Sequence, residues 1–277
     1  MGSKFRMKWL EKEDLADDEG GDEDFQEVEE ESPSVSASGP SSRSGPSTAS
    51  ASGGMKKKNI EDIKFGHPSS YLIAGLTKCG KTKWLRSFVF NNHDKYNRIY
   101  AFSSSAKFNQ DYDFLEKSRI FDPSKEADIQ TLVKIVKLQR SVRAKGIPYQ
   151  LLLIFDDIVG VINTHGGKVG KFFDRLASSG RHIGISCVFI TQRLTKISPT
   201  IRDNCLYWIV IKLKMNEIMD QVFSVQSQFT DKFRFWDYYL KITKERYSSL
   251  LIQNDNPYDP SCIPLAPVKE IKFHIKG

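Results

Sequence analysis

Eight consecutive residues, Gly75-Leu76-Thr77-Lys78-Cys79-Gly80-Lys81-Thr82, set two glycines, a lysine and a hydroxyl at the spacing G-x-x-x-x-G-K-[ST]. The chemistry open to that set is polyphosphate binding. The glycines let the backbone turn tightly, so that successive N–H groups form a concave nest for phosphate oxygens. A helix starting just beyond adds the positive end of its dipole. Lys81 is then placed for the β- and γ-phosphates of a nucleoside triphosphate such as ATP, and the Thr82 hydroxyl for Mg²⁺. Leu76, Thr77, Lys78 and Cys79 complete the loop between the fixed positions.

A second set lies about seventy residues downstream, in Leu151-Leu152-Leu153-Ile154-Phe155-Asp156-Asp157. An unbroken apolar run ending in acids reads as a strand buried on both faces, whose carboxyl end opens into a site. Asp156 there holds Mg²⁺ through water, since Mg²⁺ keeps part of its hydration shell. Asp157 is positioned to polarise an attacking water as catalytic base. Two solvated acids starting a turn would look the same in isolation; the upstream loop favours the metal-and-base reading.

Two further polar positions belong to this chemistry. Gln192, in Thr191-Gln192-Arg193, follows another apolar run and carries both a donor and an acceptor. It can sense a γ-phosphate or orient water. Arg181, in Ser178-Ser179-Gly180-Arg181-His182, is a candidate for reaching a neighbouring subunit's site and stabilising charge on a transferring phosphoryl group. Arg202, in Ser198-Pro199-Thr200-Ile201-Arg202-Asp203-Asn204, is the alternative.

The elements that must position these residues alternate along the chain. Strands are predicted at Ser70–Ala74, Arg98–Ser103, Leu151–Asp156, Ile185–Thr191, Leu206–Lys212 and Tyr247–Gln253. Helices are predicted at Lys81–Asn92, Glu126–Ala144, Val169–Ser178, Asn216–Ser227 and Lys232–Thr243. Strands alternating with helices predict an α/β fold with a mainly parallel sheet covered on both faces. Residues 1–58 read as a disordered tail, acidic and then rich in Ser, Gly and Pro, because such composition buries too little apolar surface to offset ordering entropy. Residues 59–255 read as the folded domain, and 256–277, with Pro257, Pro260, Pro264 and Pro267, as an extended C-terminal arm.

Composition narrows the class. The chain has 277 residues and a net charge of +7, but the first 54 residues carry 13 acids against 5 bases, leaving a body of net charge +15. Such a body attracts polyanions, nucleic acid above all. Lys168, Lys171 and Arg175 are candidate phosphate-backbone contacts, with a solvated helix face as the equal alternative. No apolar run reaches membrane-spanning length, and the N-terminus does not read as a secretory signal. Four separated cysteines read as intracellular thiols rather than as a disulfide or zinc framework.

Taken in order, GLTKCGKT, LLLIFDD, SSGRHIGISCVFITQR and ISPTIRDN resemble the FtsK–HerA superfamily of P-loop NTPases. Within it they resemble the DNA-packaging ATPases of poxviruses, giant viruses, virophages and Maverick/Polinton elements. The resemblance spans about residues 65–255. The acid pair followed by R-H-x-x-I-S-x-x-x-x-T-Q is more specific than the loop. It implies a RecA/ASCE-like sheet with an extra strand between the loop strand and the acid strand, and a polar sensor on that strand, at Gln192. It implies a trans arginine, best matched by Arg181, and a homo-oligomeric ring that pumps double-stranded DNA without reading sequence. It also implies a capsid or portal partner, no membrane insertion, and action in the host cytoplasm or nucleus at assembling virions or within the virion. Many relatives have Glu at the second acid, where this chain has Asp157. Three alternatives stay open: another DNA pump or helicase of the superfamily, a nucleotide kinase, and a non-hydrolysing ATP-binding assembly factor.

Overall fold

The computed structural model describes residues 56–106, 110–158, 167–225, 231–254 and 262–275. Of the tail expected over residues 1–58, residues 1–55 lie outside the described residues, as does most of the loop after Asp157.

In chain order the elements are β1 (Ser70–Ala74), α1 (Lys81–Asn92), β2 (Arg98–Ser103), β3 (Ile120–Phe121), α2 (Glu126–Ala144), β4 (Leu151–Asp156), α3 (Gly167–Ser179) and β5 (Ile185–Thr191). These are followed by α4 (Pro199–Asn204) and β6 (Tyr207–Val210). A helical run α5 then joins Met215–Glu217, a π-helical Ile218–Val222 and Phe223–Val225. The described chain closes with α6 (Lys232–Thr243), β7 (Ser249–Gln253) and β8 (Cys262–Leu265).

The strands form one eight-stranded sheet in the order β3-β2-β4-β5-β1-β6-β7-β8. The six strands from β3 to β6 are mutually parallel, and β7 and β8 add antiparallel to that edge. The central strands β1, β4 and β5 are buried almost throughout, as expected where a parallel strand is covered on both faces. Alternate residues feed two separate cores. Tyr71, Ile73, Ile154 and Ile190 join Trp84, Leu85 and Phe88 of α1 on one face. Leu72, Leu153, Phe155 and Phe189 join Leu132 of α2, Phe173 of α3, Ile201 of α4 and Phe235 of α6 on the other. Each fully buried large apolar side chain contributes about 1.5–3 kcal/mol, so a one-residue slip in β1 or β4 would exchange the two cores at great cost.

The two-layered cover follows from local sequence. Gly80, with φ 109°, turns the chain from the phosphate loop into α1. Ser198 caps α4 by accepting from the Ile201 N–H, and Pro199 stands at the first helical position, where its missing N–H is harmless. Buried Gln139 of α2 donates to the carbonyls of Tyr149 and Ile183 at 2.7 Å each, fixing the entries to β4 and β5.

Several elements depart from the sequence expectation. The strand predicted over Leu206–Lys212 is confined to Tyr207–Val210. The two-residue β3 and the six-residue α4 lack enough residues to show a hydrophobic period. The predicted C-terminal arm instead supplies β8, which pairs with β7 and bridges to Lys58. Beyond β8, Phe273 stacks on Phe114 and meets Phe90 edge-on.

Candidate nucleotide-binding site

The carboxyl ends of β1, β5 and β4 lie side by side, and each leads directly into a chemically equipped residue. After β1 comes the loop Gly75–Thr82. After β5 comes Gln192. β4 ends in Asp156, with Asp157 next. Strand β5 therefore lies between the loop strand and the acid strand, as the family resemblance implies.

Neighbouring backbone holds the loop at its base. The Gly75 N–H donates to Thr191 O at 3.2 Å, and the Leu76 N–H donates to Lys212 O at 2.7 Å. Lys78 (φ 61°) and Gly80 (φ 109°) are both left-handed, the backbone alternation that aims N–H groups into a common concavity. At Gly75 an added Cβ would lie 2.5 Å from Cys79 Sγ, and at Gly80 2.5 Å from Cδ1 of Tyr247. A side chain at Gly75 would have to displace Cys79, and one at Gly80 would meet Tyr247 in a backbone conformation that favours glycine. Burial raises the Cys79 thiol above its ordinary value, against the opposing effect of Lys81, which disfavours a reactive thiolate.

Lys81 opens α1 and donates to the carbonyls of Gly75 and Leu76, at 2.7 and 2.9 Å. Its ammonium lies across the loop mouth. Thr82 follows on the same first turn, partly exposed. Thr77 donates its hydroxyl proton to Gln192 Oε1 at 2.8 Å, joining the loop to the end of β5. The Thr191 hydroxyl donates to Arg193 O and accepts from the Arg193 N–H, fixing the turn that presents Gln192.

Asp156 is paired in register with Ser103 of β2 and with Ile190 of β5. Its Oδ2 accepts a 2.9 Å hydrogen bond from the buried Tyr112 hydroxyl. Burial pushes the Asp156 carboxyl above its ordinary value; the Tyr112 hydrogen bond opposes this, and the charge of Asp157 adds to it. A partly desolvated carboxylate beside a second acid favours a cationic neighbour. Asp157 is exposed and left-handed, with φ 55°, a conformation Asp tolerates better than most residues. Its N–H extends the ladder by donating to Ile190 O at 3.3 Å, while the next residue, Ile158, is fully buried.

These residues fit Mg²⁺ as it is held beside polyphosphates, by a hydroxyl and a carboxylate with water and phosphate oxygens completing the shell. The Thr82 hydroxyl and the Asp156 carboxylate are the protein groups that would hold it. No cluster of three or more His, Cys, Asp or Glu suited to a metal exists among the described residues, so the fit is to a phosphate-bound cation rather than to an all-protein cage.

The arginines stand elsewhere. Arg181 is exposed in the turn Gly180–Ile183, at the amino-terminal end of β5. Gln192 follows the opposite end of that seven-residue strand, about 23 Å away at strand rise. Arg181 therefore does not enter this chain's own site. Arg202 donates to Gln221 and lies on α4. Lys171 and Arg175 are exposed and four residues apart on α3, hence on one side of it.

Two residues at the site escaped sequence reasoning, Tyr112 and Tyr247. Tyr112 lies in a connection without hydrophobic period, and nothing local signals its approach to Asp156. Tyr247 reads in sequence as the start of a strand, whereas it is a left-handed turn residue, with φ 69°.

The family described as Poxvirus A32 protein matches residues 61–255. No curated protein matches the chain. Among solved structures, the genome-packaging NTPase B204 of Sulfolobus turreted icosahedral virus 2, in complex with sulfate, is 16% identical with a TM-score of 0.50; the similarity covers 75% of this chain and 100% of that one. EssC (ATPases 2 and 3) from Geobacillus thermodenitrificans is 15% identical with a TM-score of 0.50, covering 73% of this chain and 40% of that one. At these identities the likeness establishes the P-loop ATPase fold. Among the described residues, no helix is long and apolar enough to cross a membrane.

Proposed function

Because the chain belongs to the Poxvirus A32 protein family, we propose that it is an ATP-hydrolysing motor that drives double-stranded DNA into a viral capsid. The observation that carries this reading is the convergence of the Gly75–Thr82 loop, Asp156, Asp157 and Gln192 at the carboxyl ends of three adjacent strands. A dead nucleotide-binding scaffold has no need for a second acid on a left-handed turn, or for a sensor bonded to the loop.

In the proposed cycle, the loop amides and Lys81 hold the triphosphate. Thr82 and Asp156 hold Mg²⁺, which when bound offsets phosphate charge. Asp157 accepts a proton from the attacking water. Gln192, bonded to Thr77, relays loss of the γ-phosphate to β5. Arg181 acts on the site of a neighbouring copy in a ring, because its own site is beyond reach. The net +15 of the chain beyond residue 54 supplies sequence-independent affinity for the DNA backbone. Lys171 and Arg175 on α3 are the proposed contacts. A capsid or portal protein anchors the ring, and the action takes place in the infected cell at assembling virions. The folded domain proposed for this work is residues 59–255, and residues 262–275 of the proposed C-terminal arm pack against it through β8 and Phe273.

The test is hydrolysis of ATP with and without linear double-stranded DNA, beside Lys81→Ala. DNA-stimulated turnover that vanishes in Lys81→Ala is the expected result. Turnover stimulated by a nucleoside instead of DNA would make the protein a kinase. ATP binding without turnover would make it an assembly factor.

A further inference from the structure

The flank of the phosphate loop away from the acids carries a second constellation. Sheet order sets β4 and β5 on one side of β1, and β6 and β7 on the other. Because β7 runs antiparallel to β6, its start lies at the same end of the sheet as the loop. Tyr247, two residues before β7, lies against the loop: its Cδ1 is 2.5 Å from where a Cβ on Gly80 would be. Lys83, one residue beyond Thr82, holds its ammonium 4.4 Å from the ring centroid. The exposed Arg246 holds its guanidinium 4.7 Å from the same centroid. Lys83 is tethered to Glu270 at 3.4 Å, and the Tyr247 carbonyl accepts from the Val268 N–H at 3.4 Å.

A tyrosine in the left-handed region is strained, and such strain persists only where surrounding contacts impose it. Here the contacts hold a half-buried aromatic ring beside the entrance to α1, with the Lys83 ammonium over it and the planar, exposed guanidinium of Arg246 stacked against it. A nucleoside triphosphate on the loop has its γ-phosphate toward Asp156, Asp157 and Gln192. Its other end must leave by the opposite flank, toward Tyr247. A planar base needs a π-face or a guanidinium plane there.

We propose that Tyr247 and Arg246 form the nucleobase platform of this site, holding the base by stacking. The inference rests on the nucleotide reading above and adds to it the residues that take the base. Stacking does not read the base edge, so adenine and guanine nucleotides bind alike.

The experiment is calorimetric titration of the full chain with ATP, GTP and inorganic tripolyphosphate, each with Mg²⁺, for the natural sequence and for Tyr247→Ala, Tyr247→Phe and Arg246→Ala. Tyr247→Ala is expected to weaken ATP and GTP about tenfold and to leave tripolyphosphate within about twofold. Tyr247→Phe, which keeps the ring, restores ATP affinity. Arg246→Ala, at an exposed position, gives a smaller loss confined to the nucleotides. Equal loss of ATP and tripolyphosphate in Tyr247→Ala would overturn the proposal by making the ring a buttress of the loop. So would Tyr247→Phe behaving like Tyr247→Ala. If the natural protein binds tripolyphosphate and ATP equally well, the platform is wrong while the phosphate site stands. If it binds neither, the nucleotide reading itself fails and takes the platform with it.

Discussion

Thr77 and Gln192 are joined by a 2.8 Å hydrogen bond between the phosphate loop and the residue that follows β5. The two residues are far apart in sequence, and each is exposed. The bond costs the fold little to lose, so its effect should appear in turnover and hardly in stability. Gln192→Ala is expected to lower kcat at least about tenfold while changing KM less than about threefold, the pattern of an interaction used after substrate binding. Thr77→Val should give a weaker version of the same split. Steady-state ATPase kinetics decide it; a pure KM effect would assign the pair to binding.

Tyr112 donates to the carboxylate expected to hold Mg²⁺. Orienting partners of metal ligands typically contribute about 10–100-fold to metal affinity or activity. Tyr112→Phe keeps the buried ring and removes only the donor. The Mg²⁺ concentration for half-maximal nucleotide binding should rise about tenfold, with unfolding by urea little changed. An unchanged Mg²⁺ dependence would show that Asp156 is held well enough by the strand alone.

Gly80 is fixed by both conformation and space, since φ is 109° and Cδ1 of Tyr247 lies 2.5 Å from where a Cβ would be. Gly80→Ala should destabilise the protein by about 1–3 kcal/mol. In a Tyr247→Ala background the steric part disappears and the conformational part remains. The double-mutant cycle from denaturant unfolding should therefore show a coupling above about 0.5 kcal/mol; strict additivity would contradict the close contact.

His67 is held near Tyr71, Tyr96 and Asn92, and burial, aided by the charge of Lys95, lowers it from 6.5 to about 4, while Asn92 and Asp94 act in the opposite direction. The unfolded chain then binds a proton that the folded protein refuses. The contribution is complete above about 6.5 and is lost as pH falls toward about 4. Urea midpoints should drop through that window, and His67→Phe should flatten the drop. The same slope in both proteins would assign it to other groups.

Arg181 is exposed, so Arg181→Ala should leave stability within about 0.5 kcal/mol. If it serves a neighbour, turnover falls by about 10³. Mixing Arg181→Ala with Lys81→Ala should then restore part of the activity, because a chain with an intact loop can borrow an intact arginine. Mixtures as inactive as their components would remove Arg181 from the chemistry.

The sequence made the loop and the acid strand legible because phosphate binding demands glycine and lysine at fixed spacing, and because a doubly buried strand has no polar positions to obscure it. β1, α1, β2, α2, β4, β5 and α6 have the ends that periodicity and caps suggested. Tyr112 and Tyr247 were not legible, because their roles depend on where a connection folds back rather than on neighbours in sequence. β8 was obscured by Pro264, since proline disfavours a central strand but is tolerated at an edge. The Thr77–Gln192 bond was implied only in part: adjacency of β1 and β5 followed from the family resemblance, but which loop residue would meet the glutamine did not.

The two ends of the sheet bear on how copies of the chain could meet. At one end β3 has only two residues. At the other, β8 carries Pro264, whose carbonyl accepts from the Lys58 N–H at 2.9 Å, while Lys58 O accepts from the Ala266 N–H at 2.8 Å. One border is too short to template another strand, and the other is already bridged at Lys58 by the chain's own backbone. Among the described residues, any association between copies would therefore fall to side chains on loops and helices. Joints of that kind can rock or slide without breaking a backbone ladder, a mechanical freedom that a continuous intersubunit sheet would deny.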